Sequence, residues 1–294
     1  MEQAMLIYID GKYIPAEDAT ISLFDGGYLY GDGLFETIRL YSGQPFDLDG
    51  HLNRLSTQLE TLEFSWRPDL DSINNIITEL TILNNLTDAD SRCRITVSRG
   101  GSFDLLLPLQ DLHEIKPTVS IFQIPLSDTI SQMQKTGIAV TAMKSGFARG
   151  NFPGLKTLNY LPTVVALRAA RKANCQEALL INSDNNVLEA ATSNVFIISN
   201  NTLYTPPLDL GLLSGRTRSI VLTTASNIGL NCVEKSFDLS ELLDADEVFL
   251  SGSVKEILPV IKVDGSVIGN GKPGEHTLRL AKKYRQGVLQ SLGG

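Results

Sequence analysis

The chain has 294 residues, 43% of them hydrophobic and 20% charged, with a formal net charge of -8. That length suits two domains or one large one, and the composition supports a substantial core without a disordered charge block. The acidic balance lacks the basic face a nucleic-acid binder needs, so a small molecule or a second copy of the chain is the expected partner.

In chain order, Leu6 to Ile9 and Lys12 to Ile14 flank Asp10-Gly11, which predicts a hairpin with a two-residue turn, stopped by Pro15. The segment Phe24-Asp25-Gly26-Gly27-Tyr28-Leu29-Tyr30-Gly31-Asp32-Gly33 reads as a glycine-rich loop feeding a strand over 34–41. Leu52, Leu55, Leu59 and Leu62 mark one apolar helix face, and Ile73, Ile76, Ile77 and Leu80 a second. Strands are expected over 92–97 and 118–124. Sheet with two consecutive helices is an α+β pattern. The more polar stretch 125–135 reads as a connection, which divides the chain into a small N-terminal domain (1–124) and a larger C-terminal one (136–294).

Beyond the connection, 138–142 predicts a strand, 145–154 a glycine-rich loop and 161–173 a helix. Three short strands come next, over 178–181, 187–190 and 195–198, with Asn-rich turns. The loop Gly211-Leu212-Leu213-Ser214-Gly215-Arg216-Thr217 opens a helix over 217–228. A strand over 247–250, a hairpin turning at Asp264-Gly265 and a helix over 275–292 close the chain.

Cys93, Cys175 and Cys232 have no zinc-site or disulfide-framework spacing and read as free thiols in a reducing compartment. His51, His113 and His276 are scattered, so no histidine metal site is expected. The short acidic start, Met1-Glu2-Gln3-Ala4-Met5, does not read as a signal peptide. No apolar run approaches the roughly 20 residues of a membrane helix. A cytoplasmic protein without a membrane segment is the expectation.

Three features carry chemistry. Lys156 sits in Leu155-Lys156-Thr157-Leu158-Asn159-Tyr160-Leu161, one amine in a mostly apolar stretch. Such surroundings favour the uncharged, nucleophilic form of a lysine that attacks an aldehyde. Glu189 lies among Val187, Leu188, Ala190 and Ala191. Strict alternation would put it on one face with Val187 and Ala191. A carboxylate buried there needs a partner, which a protonated pyridine nitrogen would supply. The backbone N–H groups of Gly215, Arg216 and Thr217, with the Thr217 hydroxyl, form a helix N-terminus suited to a phosphate, and Arg54 can add a bidentate contact. No Gly-Lys-Ser/Thr follows the 211–215 glycines, and Gly31-Asp32-Gly33 has Glu36 where a dinucleotide fingerprint needs its third glycine.

Six blocks together resemble the class IV (fold type IV) pyridoxal-phosphate enzymes: branched-chain aminotransferases, D-amino acid aminotransferases and aminodeoxychorismate lyases. They are Tyr30-Gly31-Asp32-Gly33-Leu34-Phe35-Glu36-Thr37-Ile38-Arg39, His51-Leu52-Asn53-Arg54-Leu55 and Lys156-Thr157-Leu158-Asn159-Tyr160-Leu161, followed by Glu189-Ala190-Ala191-Thr192-Ser193-Asn194-Val195-Phe196, Leu213-Ser214-Gly215-Arg216-Thr217-Arg218 and Ser251-Gly252-Ser253-Val254-Lys255-Glu256-Ile257-Leu258-Pro259-Val260. They run in family order over nearly the whole chain. The resemblance implies a two-domain α/β fold, with a sandwich-like N-terminal domain and a pseudo-barrel C-terminal domain that binds pyridoxal 5'-phosphate. Lys156 would carry the cofactor as a Schiff base and shuttle the proton. Glu189 would hold the pyridine nitrogen and Tyr160 would lie near the ring hydroxyl. Arg54, Thr217, the Arg216 N–H and Ser253 would hold the phosphate, with Leu213 against the ring. Tyr30, Phe35 and Arg39 would line the substrate side, where Arg39 or Arg149 could meet a carboxylate. The resemblance also implies a homodimer whose loops close the partner's site.

The reaction is less well marked. Arg99-Gly100-Gly101-Ser102-Phe103-Asp104 lacks the Arg-x-His pair of D-amino acid transaminases. Branched-chain enzymes usually carry Gly-Thr-Ala-Ala-Glu and Glu-Gly-Ile-Arg, where this chain has Gly252-Ser253-Val254-Lys255-Glu256 and Glu36-Thr37-Ile38-Arg39. Transamination between an amino acid and a 2-keto acid is the first expectation. A lyase releasing pyruvate and 4-aminobenzoate from aminodeoxychorismate is the second, and a non-catalytic cofactor binder the third.

Overall fold

The computed structural model describes residues 4–101, 115–144 and 154–293. Two compact units emerge: Met1–Leu126 with Leu155–Tyr160, and Ser127–Gly154 with Leu161–Gly294. The division differs from the expected one at two places. The stretch read as a connection contains all but the last residue of helix α4 (Thr129–Thr136) of the second unit. It looks polar in sequence because none of its residues is buried. Residues 155–160, which carry Lys156 and Tyr160, belong with the first unit.

The first unit starts with the expected hairpin, β1 (Leu6–Ile9) and β2 (Lys12–Pro15). Both turn residues have positive φ, 47° at Asp10 and 92° at Gly11, as a twisted two-residue hairpin turn requires. Pro15 is the last strand residue rather than a stop. It pairs with Leu6 on the edge strand of the sheet, where a missing N–H costs no ladder bond. The expected glycine-rich loop contains a short helix, α1 (Gly26–Tyr30), whose start is capped by Asp25 accepting the Gly27 N–H at 2.8 Å. Then come β3 (Gly33–Tyr41), β4 (Gln44–Pro45), α2 (Leu48–Thr61), α3 (Leu70–Leu83), β5 (Ser91–Ser98) and β6 (Thr118–Pro125). The sheet order is β2-β1-β6-β5-β3-β4 and every pairing is antiparallel. Leu52, Leu55 and Leu59 of α2 and Ile73, Ile77 and Leu80 of α3 pack onto Leu34, Ile38 and Leu40 of β3 and Ile95 and Val97 of β5. Burying each such side chain contributes roughly 2 kcal/mol.

The second unit continues with β7 (Ile138–Lys144), α5 (Leu161–Lys172), β8 (Glu177–Ile181), β9 (Val187–Ala190), β10 (Asn194–Ser199) and β11 (Thr202–Thr205). After these come α6 (Arg216–Asn227), β12 (Asn231–Glu234), α7 (Leu239–Leu243), β13 (Glu247–Gly252), β14 (Glu256–Val263), β15 (Ser266–Val267) and α8 (Glu275–Ser291). Its nine described strands run β12-β11-β10-β13-β14-β7-β8-β9, with β15 on β14, in a curled half-barrel sheet. Pairings β14–β7, β7–β8 and β11–β12 are parallel and the others antiparallel. No helix among the described residues is long and apolar enough to cross a membrane.

Strict alternation fails at Glu189. The β8–β9 register shifts between Leu180 and Ile181, so Leu180 pairs with Glu189 but Ile181 with Val187. Val187 and Ala190 consequently join one apolar cluster, and Leu188 and Ala191 another. A bulge adds one residue to a strand and re-aims the residues after it, which a period-two reading of the sequence cannot register.

Candidate active site

In the first unit, Lys156 is joined to β3. The Phe35 N–H donates to the Lys156 carbonyl at 3.0 Å, and the Leu158 N–H to the Gly33 carbonyl at 2.9 Å. Leu34 and Thr157 form an antiparallel bridge between them. The Lys156 N–H donates to Gln58 Oε1 of α2 at 2.9 Å. Its Nζ lies 4.5 Å from the centre of the Phe35 ring, and Tyr160 meets the same ring edge-on at 5.3 Å. The Arg94 guanidinium sits 3.7 Å from that ring centre, and burial pushes its pKa below the ordinary arginine value. Lys156, Tyr160, Arg94 and Phe35 thus form one group.

Glu36, next to Phe35 on β3 and facing the other way, is fully buried. Arg54 grips it in a fork, Nε to Oε1 at 2.7 Å and Nη2 to Oε2 at 2.8 Å, while His51 Nδ1 lies 2.8 Å from Oε2. Burial alone would raise the Glu36 pKa. Arg54 and His51 overcome it and hold the carboxyl down at about 2. The sequence pattern assigned Arg54 to a phosphate and gave no sign of this carboxylate, which fixes the plane of its guanidinium. Arg39, expected on the substrate side, donates from Nη2 to Asp90 at 2.7 Å and stacks 4.6 Å from the Tyr41 ring centre. Tyr30 is exposed at the end of α1. Arg149 lies outside the described residues.

In the second unit, Glu189 is 2% and Thr217 3% exposed. Asn194 joins their surroundings: its Nδ2 donates to the Leu213 carbonyl at 3.0 Å and lies 3.5 Å from Glu189 Oε2. Gly215, the N-cap of α6, passes so close that a Cβ there would collide with Asn194 Oδ1. The N-cap of α6 brings no side chain of its own, and Arg216 and Thr217 are the first two residues of the helix. Ser253 lies in the turn Ser253–Lys255 between β13 and β14. That turn is tied down by Lys255, whose Nζ donates to buried Glu177 Oε1 and to Thr192 Oγ1, each at 2.9 Å. Among the described residues no cluster of three metal-ligating side chains occurs.

The profile of the family "amino-transferase class IV" matches residues 33–263. The chain belongs to the class IV aminotransferase family. It is 36% identical over 281 residues to a putative branched-chain-amino-acid aminotransferase of Methanocaldococcus jannaschii, covering 96% of each chain. It is 35% identical over 283 residues to the aminodeoxychorismate lyase of Bacillus subtilis, covering 96% of this chain and 94% of that one. Among solved structures it superposes on the branched-chain aminotransferase of the thermophilic archaeon Thermoproteus uzoniensis with norvaline, with a TM-score of 0.86 and 27% identity over 98% of this chain and 95% of that one.

Class IV aminotransferases are pyridoxal-phosphate enzymes. The residues present suit that cofactor. A glycine at the α6 start whose approach no side chain could share, and a buried carboxylate held near it by Asn194, suit a phosphate and a basic ring nitrogen. Two residues of the site escaped the sequence pattern. Arg94 left one signal, its i, i+2 spacing from Arg92 on one strand face, but its place against Phe35 depends on the β3–β5 register, which pairs Phe35 with Thr96 and Thr37 with Arg94. Gln58 left none beyond falling on the buried side of α2.

Proposed function

We infer that this class IV enzyme is a pyridoxal-phosphate-dependent aminotransferase that moves an amino group between an amino acid and a 2-keto acid. The observation that supports this best is Lys156, with its carbonyl held by Phe35, its N–H held by Gln58 and its amine against the Phe35 ring. The cofactor, when bound, supplies an aldehyde for the amino group and an electron-withdrawing ring for the charge left at Cα. Lys156 would supply the amine that holds the cofactor and the base that moves the substrate Cα proton. Glu189 would hold a proton on the ring nitrogen and so keep the ring an electron sink. Tyr160 would lie near the ring hydroxyl and Leu213 against the ring. The Arg216 N–H, Thr217, Ser253 and Arg54 would hold the phosphate, and the Glu36 fork fixes the Arg54 guanidinium. Arg94 offers a fixed cation beside Phe35 for a substrate carboxylate.

The run Ile21, Leu23, Phe24, Tyr28, Leu29 and Tyr30 is exposed and apolar. It supports a homodimer in which the run is covered by a second copy. The three cysteines are free, which suits a cytoplasmic setting.

A lyase acting on aminodeoxychorismate is the second reading. It is favoured by the similarity to the B. subtilis lyase and by Ser253-Val254-Lys255 in place of the usual branched-chain wording. The deciding experiment offers the loaded enzyme L- and D-amino acids with a keto acid and follows conversion of bound cofactor to its amine form. Conversion with an amino acid supports the transaminase. Pyruvate from aminodeoxychorismate, with no conversion by any amino acid, moves the assignment to the lyase. A protein that takes up no cofactor sinks both.

A further inference from the structure

We propose that Gln58 is a positioning residue for Lys156, acting through its backbone; the inference rests on the cofactor role of Lys156 proposed above. A lysine side chain reaches a fixed point in space only if its Cα is fixed. The two peptide groups that flank the Lys156 Cα are each hydrogen-bonded, and by different elements. Its carbonyl accepts from the Phe35 N–H at 3.0 Å, a backbone bond that continues β3. Its N–H donates to Gln58 Oε1 at 2.9 Å, a side-chain bond from α2. Gln58 is 7% exposed and lies one helical turn after Arg54, so both face inward from the same stretch of helix. Glu36 clamps Arg54 within that turn by two bonds of 2.7 and 2.8 Å. α2 is therefore a strut that fixes the Arg54 guanidinium at one turn and the origin of the Lys156 side chain at the next. Because a buried amide oxygen can satisfy the Lys156 N–H where a hydrocarbon cannot, the Gln58 bond is the one of the two that a side-chain substitution removes.

The test compares two forms of the cofactor. Pyridoxal 5'-phosphate needs the Lys156 amine for its covalent link, whereas pyridoxamine 5'-phosphate has no aldehyde and uses only the remaining contacts. Gln58→Leu keeps the size of the side chain and removes the acceptor. The expected result is a Kd for pyridoxal phosphate raised about tenfold, the worth of one buried hydrogen bond, with the Kd for pyridoxamine phosphate within about threefold of wild type. Borohydride-fixed label on Lys156, read by peptide mass spectrometry, should form more slowly. Gln58→Glu keeps an acceptor oxygen and should restore the ratio of the two affinities. If Gln58→Leu does not fold, Gln58→Ser, too short to reach, is read in the same way. Equal loss of both cofactor forms, no loss of either, or no rescue by Gln58→Glu overturns the proposal. Absence of label on Lys156 in the wild-type protein overturns instead the cofactor role on which it rests.

Discussion

Helices α6 and α8 of the second unit both begin after a glycine N-cap, Gly215 and Gly274, and neither cap brings a side chain of its own. At α8 a carboxylate from elsewhere in the fold fills the helix start. Glu247 accepts the His276 N–H at 2.9 Å, the Thr277 N–H at 2.7 Å and the Thr277 hydroxyl at 2.6 Å. At α6 the same kind of start carries Arg216 and Thr217 as its first two residues, and its N-cap glycine brings no side chain of its own. On the function proposed above, a phosphate would take at the α6 start the place that the Glu247 carboxylate takes at the α8 start. A helix start that the chain fills itself serves stability, and one left to an anion from outside serves binding.

Four substitutions or conditions test that contrast. Lys156→Ala should reduce turnover by at least on the order of 10³ and remove any borohydride-fixed label, while leaving the anion site at α6 intact. That intact site is checked by retained affinity for pyridoxamine phosphate. Next is acid stability, which probes the other self-filled carboxylate, Glu36. Its folded-state pKa is depressed from 4.5 to about 2, so its stabilising contribution is complete above pH 4.5 and lost as pH falls towards 2. By linkage that contribution is about 3 kcal/mol, and Glu36→Gln should flatten this part of the stability–pH curve in urea titrations. Glu247→Gln should cost about 2 kcal/mol of unfolding free energy by removing the charge from three donors, with cofactor affinity unchanged by fluorescence titration. A loss of affinity there would break the division between a structural and a binding helix start. Finally, Thr217→Val should weaken pyridoxal phosphate about tenfold but leave unphosphorylated pyridoxal and thermal stability nearly unchanged. Equal weakening of both compounds would remove the phosphate from α6.

The features legible in the sequence were local ones. Asp10-Gly11 announces its turn because few residues accept positive φ, and the spacing of Leu52, Leu55 and Leu59 announces α2 because a helix has one period. The shift at Glu189 and the helix within 125–135 were illegible for related reasons. A bulge breaks the strand period, and an exposed helix such as α4 has no buried stripe to display. Arg94 carried only its i, i+2 spacing from Arg92, and Gln58 no pattern of its own. Each becomes meaningful through a residue far away along the chain, Phe35 and Lys156 respectively.

The sequence by itself determined the family, because six ordered blocks of residue types survive without any knowledge of distance. It also determined the chemical inventory: one amine at 156, one carboxylate at 189 and one glycine-led helix start at 215–217. Only the tertiary structure decided which groups are already satisfied, since a hydrogen bond depends on separation in space and not along the chain. It assigned Glu36 to Arg54 and His51, Glu247 to α8 and Gln58 to the backbone of Lys156. It also moved residues 155–160 out of the expected second domain, because strand-type bonds to Gly33 and Phe35 join them to the first unit.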